Sequence, residues 1–447
     1  MFIQFSLLML TLNSQQDTAL ATLHRFCSSN ERLALVKGGA GTGKSTCIQQ
    51  FVQEFLAKCP DKKVAMSAPT NKATKVLKKL ASPWIPLDIA TIHQLLGFRL
   101  VVDPHGYEVL GKAAGKSTLA NYDVAIVDEA SVINTKLKQE IDKALLPNSK
   151  TQVIFMGDPY QLPPVGEFIS PVFHSVKSEN TIELTSVVRQ AAGNPLIRLV
   201  DAARNAVEKN LHYFYPPDLL GQISHNKDMS EGVWWLPQDS WFKQLVRAFT
   251  SPNYLCDPDY TRIITWTNER ASELNYEIRR RIYGEVAAEF PYLEGERLIA
   301  DDRVTLQGRT VMTTATECQV QQVSSTTVRW RNFEYKAWQL RVEDDEENPW
   351  LLTRIHDSDI HRFEKNSETL RQKAISTQRW SDFYAHQELN ACLSYAYCLT
   401  TYKAQGSTFK NGFLDLKDIM RNRGTLNRNR HIYSGCSRAS DRLLMGV

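Results

Sequence analysis

The run Gly38-Gly39-Ala40-Gly41-Thr42-Gly43-Lys44-Ser45 constrains this chain more than any other feature. A short apolar segment, Leu33 to Val36, precedes it. Ser45 to Leu56 follows, with Ile48, Phe51, Val52 and Phe55 at helical spacing. A strand, a glycine loop and a helix in that order bring backbone N–H groups and the positive end of a helix to one point, where phosphate oxygens bind. In such a loop the lysine, here Lys44, neutralises the β- and γ-phosphates, and the hydroxyl of Ser45 ligates Mg²⁺. Gly38 to Gly43 and Thr46 complete the cradle.

Three more apolar runs of strand length, Val64 to Ala68, Val124 to Val127 and Val153 to Met156, end at polar residues. Strands alternating with helical segments predict a parallel sheet wrapped by helices, with ligands beyond the carboxyl ends of the strands. The second run leads into Asp128-Glu129. The first acid at such a position holds Mg²⁺ and the second orients an attacking water, a pairing suited to hydrolysis. A helix with a Ser14 to Asp17 capping box is expected ahead of the first strand. Arg99 to Val102 and Tyr107 to Leu110, around Asp103-Pro104-His105-Gly106, read as a β-hairpin. A second α/β pattern begins near Thr185, with a strand at Ile263 to Trp266 and a helix at Ala271 to Ile282. It resumes with a strand at Ser394 to Cys398 and a helix at the chain end. Alternating segments such as Gln319 to Trp330 and Trp338 to Val342 lie between, with Glu343 to Glu347 as a solvated hairpin tip.

With 447 residues the chain can bury several cores, and its net charge of +4 excludes nucleic-acid binding by bulk attraction alone. Its eight cysteines are scattered without zinc-ligand spacing and read as reduced thiols of a cytosolic protein. Met1 to Leu10 is apolar but lacks a basic leader and a cleavage site, and is too short to span a bilayer; a packed or frayed extension is expected, and Met9 is an alternative start.

Gly157-Asp158-Pro159-Tyr160-Gln161-Leu162-Pro163-Pro164-Val165 resembles motif III of superfamily 1 helicases, and the likeness gives Gln161 the role of γ-phosphate sensor. Further matches fall in family order. Gln16 resembles the adenine-reading glutamine. Ala68-Pro69-Thr70-Asn71-Lys72-Ala73 and Thr91-Ile92-His93-Gln94-Leu95-Leu96 resemble elements that line the DNA path. Arg189 resembles motif IV, Thr400 to Thr408 motif V, and Tyr433 to Ala439, with Arg438, motif VI. The likeness spans nearly the whole chain and is to the RecD-like and Dda-like group, whose members move 5′ to 3′ along DNA. Tyr402 departs from the histidine usual in motif V, and Ser434-Gly435-Cys436-Ser437 from the usual Val-Ala/Gly-Val-Thr.

The resemblance implies an α/β fold of two RecA-like P-loop NTPase domains. The first would span 1–95 and 120–184, with a strand-separating hairpin insert at 96–119. The second would span 185–285 and 388–447, with a β-rich, SH3-like insert at 286–387. ATP and Mg²⁺ would be the cofactors, with Lys44, Asp128, Glu129, Gln161, Arg189 and Arg438 catalytic, Gly406 beside the nucleotide, and Ser45 and Asp128 on the metal. Arg189 and Arg438 would act as arginine fingers reaching the γ-phosphate across a closing cleft. DNA would be held by Pro69, Thr70, Asn71, Thr91, His93, Phe98, Asn268, Trp380, Thr400, Lys403 and Gln405, largely through phosphates. Phe98, Trp380 and Phe383 either stack on bases or pack in a core, and the basic patches Lys72 to Lys79, Arg279 to Arg281 and Arg421 to Arg430 either flank the groove or are solvated helix faces. The implied partners are single-stranded DNA and forked duplex, with replication, recombination or repair proteins. A monomer in a bacterial or phage-infected cytoplasm, without zinc or membrane, is expected. An RNA helicase and a protein-displacing translocase remain alternatives.

Overall fold

The computed structural model describes residues 12–81, 85–102, 108–112, 117–145, 149–186, 194–215 and 223–447. The Met1 to Leu10 segment, the hairpin turn at Asp103 to Gly106 and Arg189 lie outside them. Two compact units form, Met1–Gly97 with Gly115–Ala192, and Phe98–Ala114 with Gly193–Val447.

The first unit is built on six parallel strands in the order Leu87–Thr91, Val64–Ala68, Val124–Val127, Gln152–Gly157, Leu33–Gly38 and Thr181–Leu184. The strands Val64–Ala68, Val124–Val127 and Gln152–Gly157 are buried at every residue, which explains their unbroken apolar runs: helices cover both faces. The helices Ser14–Cys27 and Lys44–Lys58 bury Ala19, Leu23, Phe26, Ile48, Phe51 and Val52 in one cluster with the strands. The first helix starts one residue earlier than its sequence suggests. Asn13 caps it and Gln16 closes the capping box, in place of Ser14 and Asp17. An Asn side chain satisfies the third helical N–H as well as Ser does, and Gln16 is long enough to reach back to the cap N–H.

In the second unit the central sheet runs Cys398–Thr400, Thr261–Thr265, Phe409–Asp415, Ala439–Gly446 and Gly232–Leu236 in parallel, with Ile223–His225 antiparallel at the edge. A separate antiparallel sheet orders Pro349–Ile355, Phe333–Asp344, Glu317–Trp330, Arg297–Ala300 and Leu393–Tyr395. The acidic run sits between two of its strands, where the Asp344 carboxylate accepts the N–H groups of Glu346 and Asn348. Beside this sheet lie the helices Asp357–Thr377 and Ser381–Gln387, so the segment 286–387 is less purely β than its alternating texture suggests.

Two expectations are corrected here. The apolar run Ser394 to Cys398 is not one strand. Leu393–Tyr395 joins the antiparallel sheet and Cys398–Thr400 the parallel one, with Ala396 and Tyr397 between them. Tertiary bonds fix that break. The Asn275 side chain bonds the backbone N–H and C=O of Cys398, and the fully buried Arg262 donates to the Ala396 carbonyl and, at 2.8 Å, to Glu317. The expected terminal helix exists as Thr425–Cys436, but the chain ends on the strand Ala439–Gly446. The hairpin pairs Phe98–Val102 with Glu108–Lys112 and groups with the second unit.

Candidate nucleotide site and strand-end clusters

In the first unit the polar residues gather where three neighbouring strands end. Leu33–Gly38 passes directly into the glycine loop and then into the helix Lys44–Lys58. Gly43 caps that helix at φ 79°, a left-handed conformation that costs glycine little and other residues more. The Lys44 ammonium donates to the carbonyls of Gly38 at 2.8 Å and Gly39 at 2.9 Å, while Thr42 Oγ1 donates to Gly39 at 2.9 Å. The lysine thus spans the mouth of its own loop, and an entering phosphate oxygen offers it a stronger acceptor than a neutral carbonyl.

Two strands away, Val124–Val127 delivers Asp128 and Glu129. The Asp128 N–H donates to Ser67 O at 2.8 Å, and its carboxylate accepts the Glu129 N–H at 2.8 Å. Glu129 lies at φ 52°, a strained backbone for a residue with a side chain, costing roughly 1 kcal/mol or more. Burial first, and then the Glu129 charge, push the Asp128 carboxyl up to about 7 against the opposing pull of the Glu129 N–H and Lys44. A divalent cation at this strand end would reverse both upward influences. The hard oxygens of Asp128 and Ser45 suit Mg²⁺.

Between those strands, Gln152–Gly157 delivers Asp158 and Gln161. A β-carbon on Gly157 would stand 3.1 Å from Ala130 Cβ and 3.2 Å from its nitrogen, so the glycine lets this strand end close against the turn that carries Glu129. The Asp158 carboxylate accepts the Tyr160 N–H at 3.0 Å and the Gln161 side-chain amide at 3.4 Å. Gln161 is buried and its Oε1 has no hydrogen-bond partner. An unsatisfied amide oxygen is costly unless a donor arrives. Within the same motif, Asp158 holds Gln161 in place.

Gln16 is 2% exposed. Its Oε1 accepts the Asn13 N–H at 3.0 Å and its Nε2 reaches the Gly43 carbonyl at 3.5 Å, linking the first helix to the loop. Elsewhere in this unit, Thr70 caps the helix Asn71–Leu80, and Thr91 caps Ile92–Leu95 with Gln94 closing the box. The His93 ring donates to the Pro69 backbone carbonyl, joining the two segments, and burial depresses its pKa despite that bond.

The second unit has its own cluster of strand ends. After Thr261–Thr265 the chain turns at Trp266 and Thr267 into the helix Asn268–Tyr283, and one carboxylate organises the turn. Asp418 Oδ2 accepts from Thr265 Oγ1 at 2.8 Å, the Trp266 N–H at 3.1 Å and the Thr267 N–H at 2.9 Å. Burial acts upward on Asp418, but these donors, the Thr267 N–H foremost, hold its carboxyl below the usual range. No sequence signal marked Asp418, because its partners lie about 150 residues away.

Thr400 Oγ1 accepts the Lys403 N–H at 3.3 Å, and Lys403 Nζ pairs with Asp301 Oδ1 at 2.6 Å. Gly406 follows Gln405 at φ 75°. Thr401 Oγ1 bonds His431 Nδ1 at 2.6 Å, and the His431 ring meets Trp266 and the exposed Tyr402 edge-on. The Arg438 guanidinium, 6% exposed, donates to the carbonyls of Ser434 at 3.1 Å and Ser407 at 3.2 Å and to Ser437 Oγ at 3.0 Å. Trp380 and Phe383 are half-buried with ring centroids 5.9 Å apart, and Phe98 is half-buried at the hairpin base. Of the basic patches, Arg279 is a core residue paired with Glu296, while Arg281 pairs with Glu277 on an exposed face. Among the described residues no helix is long and apolar enough to cross a membrane.

Comparison with known proteins fits this geometry. The AAA domain family matches residues 11–214. The chain is 26% identical to the ATP-dependent DNA helicase dda of Enterobacteria phage T4, over 90% of this chain and 92% of that protein. It is 34% identical to the ATP-dependent RecD2 DNA helicase of Deinococcus radiodurans over 38% of this chain, a stretch covering 21% of that protein. Among solved structures, the Pif1 helicase from Candida albicans superposes with a TM-score of 0.51 at 17% identity, over 98% of this chain and 96% of that one. That likeness extends the two RecA-like domains to the fold of this chain.

Proposed function

We propose that this chain, which belongs to the RecD-like and Dda-like group of superfamily 1 helicases, is an ATP-driven motor that moves 5′ to 3′ along single-stranded DNA and unwinds duplex. The observation that carries the reading is the convergence of Lys44, Asp128 and Gln161 at the ends of neighbouring parallel strands. There the Lys44 charge acts on Asp128, and Gln161 presents an unsatisfied amide oxygen.

In this reading Lys44 exchanges the carbonyls of Gly38 and Gly39 for the β- and γ-phosphates of ATP. Ser45 and Asp128 would hold Mg²⁺, which would supply positive charge against the phosphate oxygens. Glu129 orients the attacking water, and its strained backbone is consistent with a side chain placed for chemistry. Gln161 reports the γ-phosphate. Arg438 supplies transition-state charge, leaving the carbonyls of Ser407 and Ser434, and Arg189 joins it. Gln16 senses adenine through its tie to Gly43.

DNA phosphates would meet Thr70, His93, Asn268, Thr400 and Lys403, groups that read no base edges, so movement is sequence-tolerant. The chain would act as a monomer on forked DNA in the cytoplasm, alongside replication, recombination or repair proteins. Strand separation on 5′-tailed and 3′-tailed duplexes, with ATPase stimulation by matched DNA and RNA oligonucleotides, tests the proposal. Unwinding of the 5′-tailed substrate alone and preference for DNA are expected. Absence of unwinding on the 5′-tailed substrate, or unwinding of the 3′-tailed one alone, would overturn it.

A further inference from the structure

The second unit carries a cavity of about 420 Å³ that no motif signals. One wall is Asp302 and Arg303 with the small hairpin that follows, Val304–Leu306 paired with Arg309–Met312. The other is the helix Ser381–Gln387 and the residues after it as far as Cys392. Phe383 and Tyr384 line it with ring centroids 5.2 Å apart and planes at 73°. Arg303 lines it too, half-buried, its guanidinium pulled down by burial and supported by the nearby Tyr384 hydroxyl. The Glu388 carboxylate accepts the N–H groups of Gln307 at 2.9 Å and Gly308 at 2.8 Å, which fastens one wall to the other.

The position of the cavity suggests its occupant. Asp301, immediately before this wall, accepts from Lys403 Nζ at 2.6 Å and from Ser394 Oγ at 2.9 Å. The charges of Asp301 and Lys403 both reach Cys392, an exposed thiol in the lining. The cavity therefore adjoins the turn whose lysine faces DNA phosphate in the function proposed above. It combines aromatic surface with a guanidinium in a space of ligand size. A nucleotide offers the complementary pair, a π-face and an anion.

We propose that this cavity takes one nucleotide of the single strand as it leaves Lys403, with its base against Phe383 and Tyr384 and its phosphate at Arg303. The inference rests on the helicase reading. It adds a grip on the insert, apart from the two strand-end clusters, that is tolerant of sequence because every base has a face to stack.

Cys392 makes the test direct, since Cys256 is exposed as well and lies outside the cavity. The full chain is alkylated with iodoacetamide with and without saturating oligothymidylate, and both thiols are followed by mass spectrometry. The oligonucleotide is expected to slow alkylation of Cys392 by about fivefold or more while Cys256 reacts as before. Arg303→Gln is expected to remove that protection and to reduce the slope of log affinity against log salt by roughly one phosphate contact. Cys392 reacting at an unchanged rate in the complex would overturn the inference, as would protection that persists in full in Arg303→Gln. Protection by a free nucleotide or a peptide, with none from the oligonucleotide, would overturn it too. If the unaltered protein binds no oligonucleotide, the helicase reading fails along with it; binding that leaves Cys392 unprotected defeats only the cavity assignment.

Discussion

The two units fix their strand-end chemistry in contrasting ways. In the first, Lys44 is held by carbonyls five and six residues away, and Glu129 and Gln161 by the aspartates one and three residues before them. In the second, the turn at Thr265 to Thr267 depends on Asp418, more than 150 residues further on, and Lys403 on Asp301, 102 residues back. A phosphate loop is a local device that a strand, a turn and a helix dictate together. The surface proposed to grip DNA is assembled from distant segments, so its polar groups are held by tertiary partners. Damage to the first should therefore be chemical and confined, and damage to the second structural and spreading.

The largest expected effect is at Lys44. Lys44→Ala should lower ATPase turnover by about 10²–10³-fold or more, as loss of preorganised charge at a transition state does, with an unchanged far-UV circular dichroism spectrum. Turnover near the unaltered rate would remove the contrast at its strongest point.

Asp418→Ala strips a carboxylate from the Thr265 hydroxyl and the N–H groups of Trp266 and Thr267. It should cost about 2–4 kcal/mol of stability, visible as a shifted urea midpoint, and weaken oligonucleotide binding while ATP still binds. A variant as stable as the parent would show that the turn does not depend on its distant partner.

Acid should separate the units by sign. Burial holds His386 and His431 down to about 4, so unfolding takes up protons at both as pH falls from about 6.5 to 4, and both then disfavour the folded second unit. Asp128, raised to about 7, works the other way: without metal it disfavours the folded first unit as pH rises from about 4 through 7. Thermal melts in chelator should show His386→Gln flattening the acid slope and Asp128→Asn flattening the slope toward neutrality. Parallel slopes in both variants would break the comparison.

The smallest effect concerns Asp301. Its pair with Lys403 is partly exposed on both sides and contributes no more than about 1 kcal/mol. Asp301→Asn should release the lysine and tighten oligonucleotide binding about two- to fivefold, measured by fluorescence anisotropy across a salt series. Weaker binding would mean that Asp301 positions Lys403 instead of competing for it.

How much was legible in the sequence follows the same division. The strand Val124–Val127 and its two acids, the glycine loop and the Asp158–Gln161 turn are legible because each is complete within about a dozen residues, and the strands that lead into the acids and the turn are buried throughout. The capping box was displaced by one residue because Asn13 and Ser14 are nearly equivalent caps, and only the reach of Gln16 decides between them. The run Ser394 to Cys398 looked like one strand because its residues suit either sheet; the Asn275 and Arg262 side chains split it. The helix Asp357–Thr377 is not legible in the sequence because only Phe363, Ser367 and Ala374 are buried along it, which leaves little apolar period to read.

By itself the sequence determined that the glycine loop with Lys44, the acids Asp128 and Glu129, and Gln161 each follow a strand of a parallel sheet, because each depends on neighbours in the chain and on a periodicity set by the backbone. Only the tertiary structure decided which carboxylates serve Thr267 and Lys403, where one apolar run divides between two sheets, and that a cavity opens beside Lys403. Those outcomes depend on side chains separated by a hundred residues or more, whose encounter is fixed by packing and burial and leaves no periodic trace.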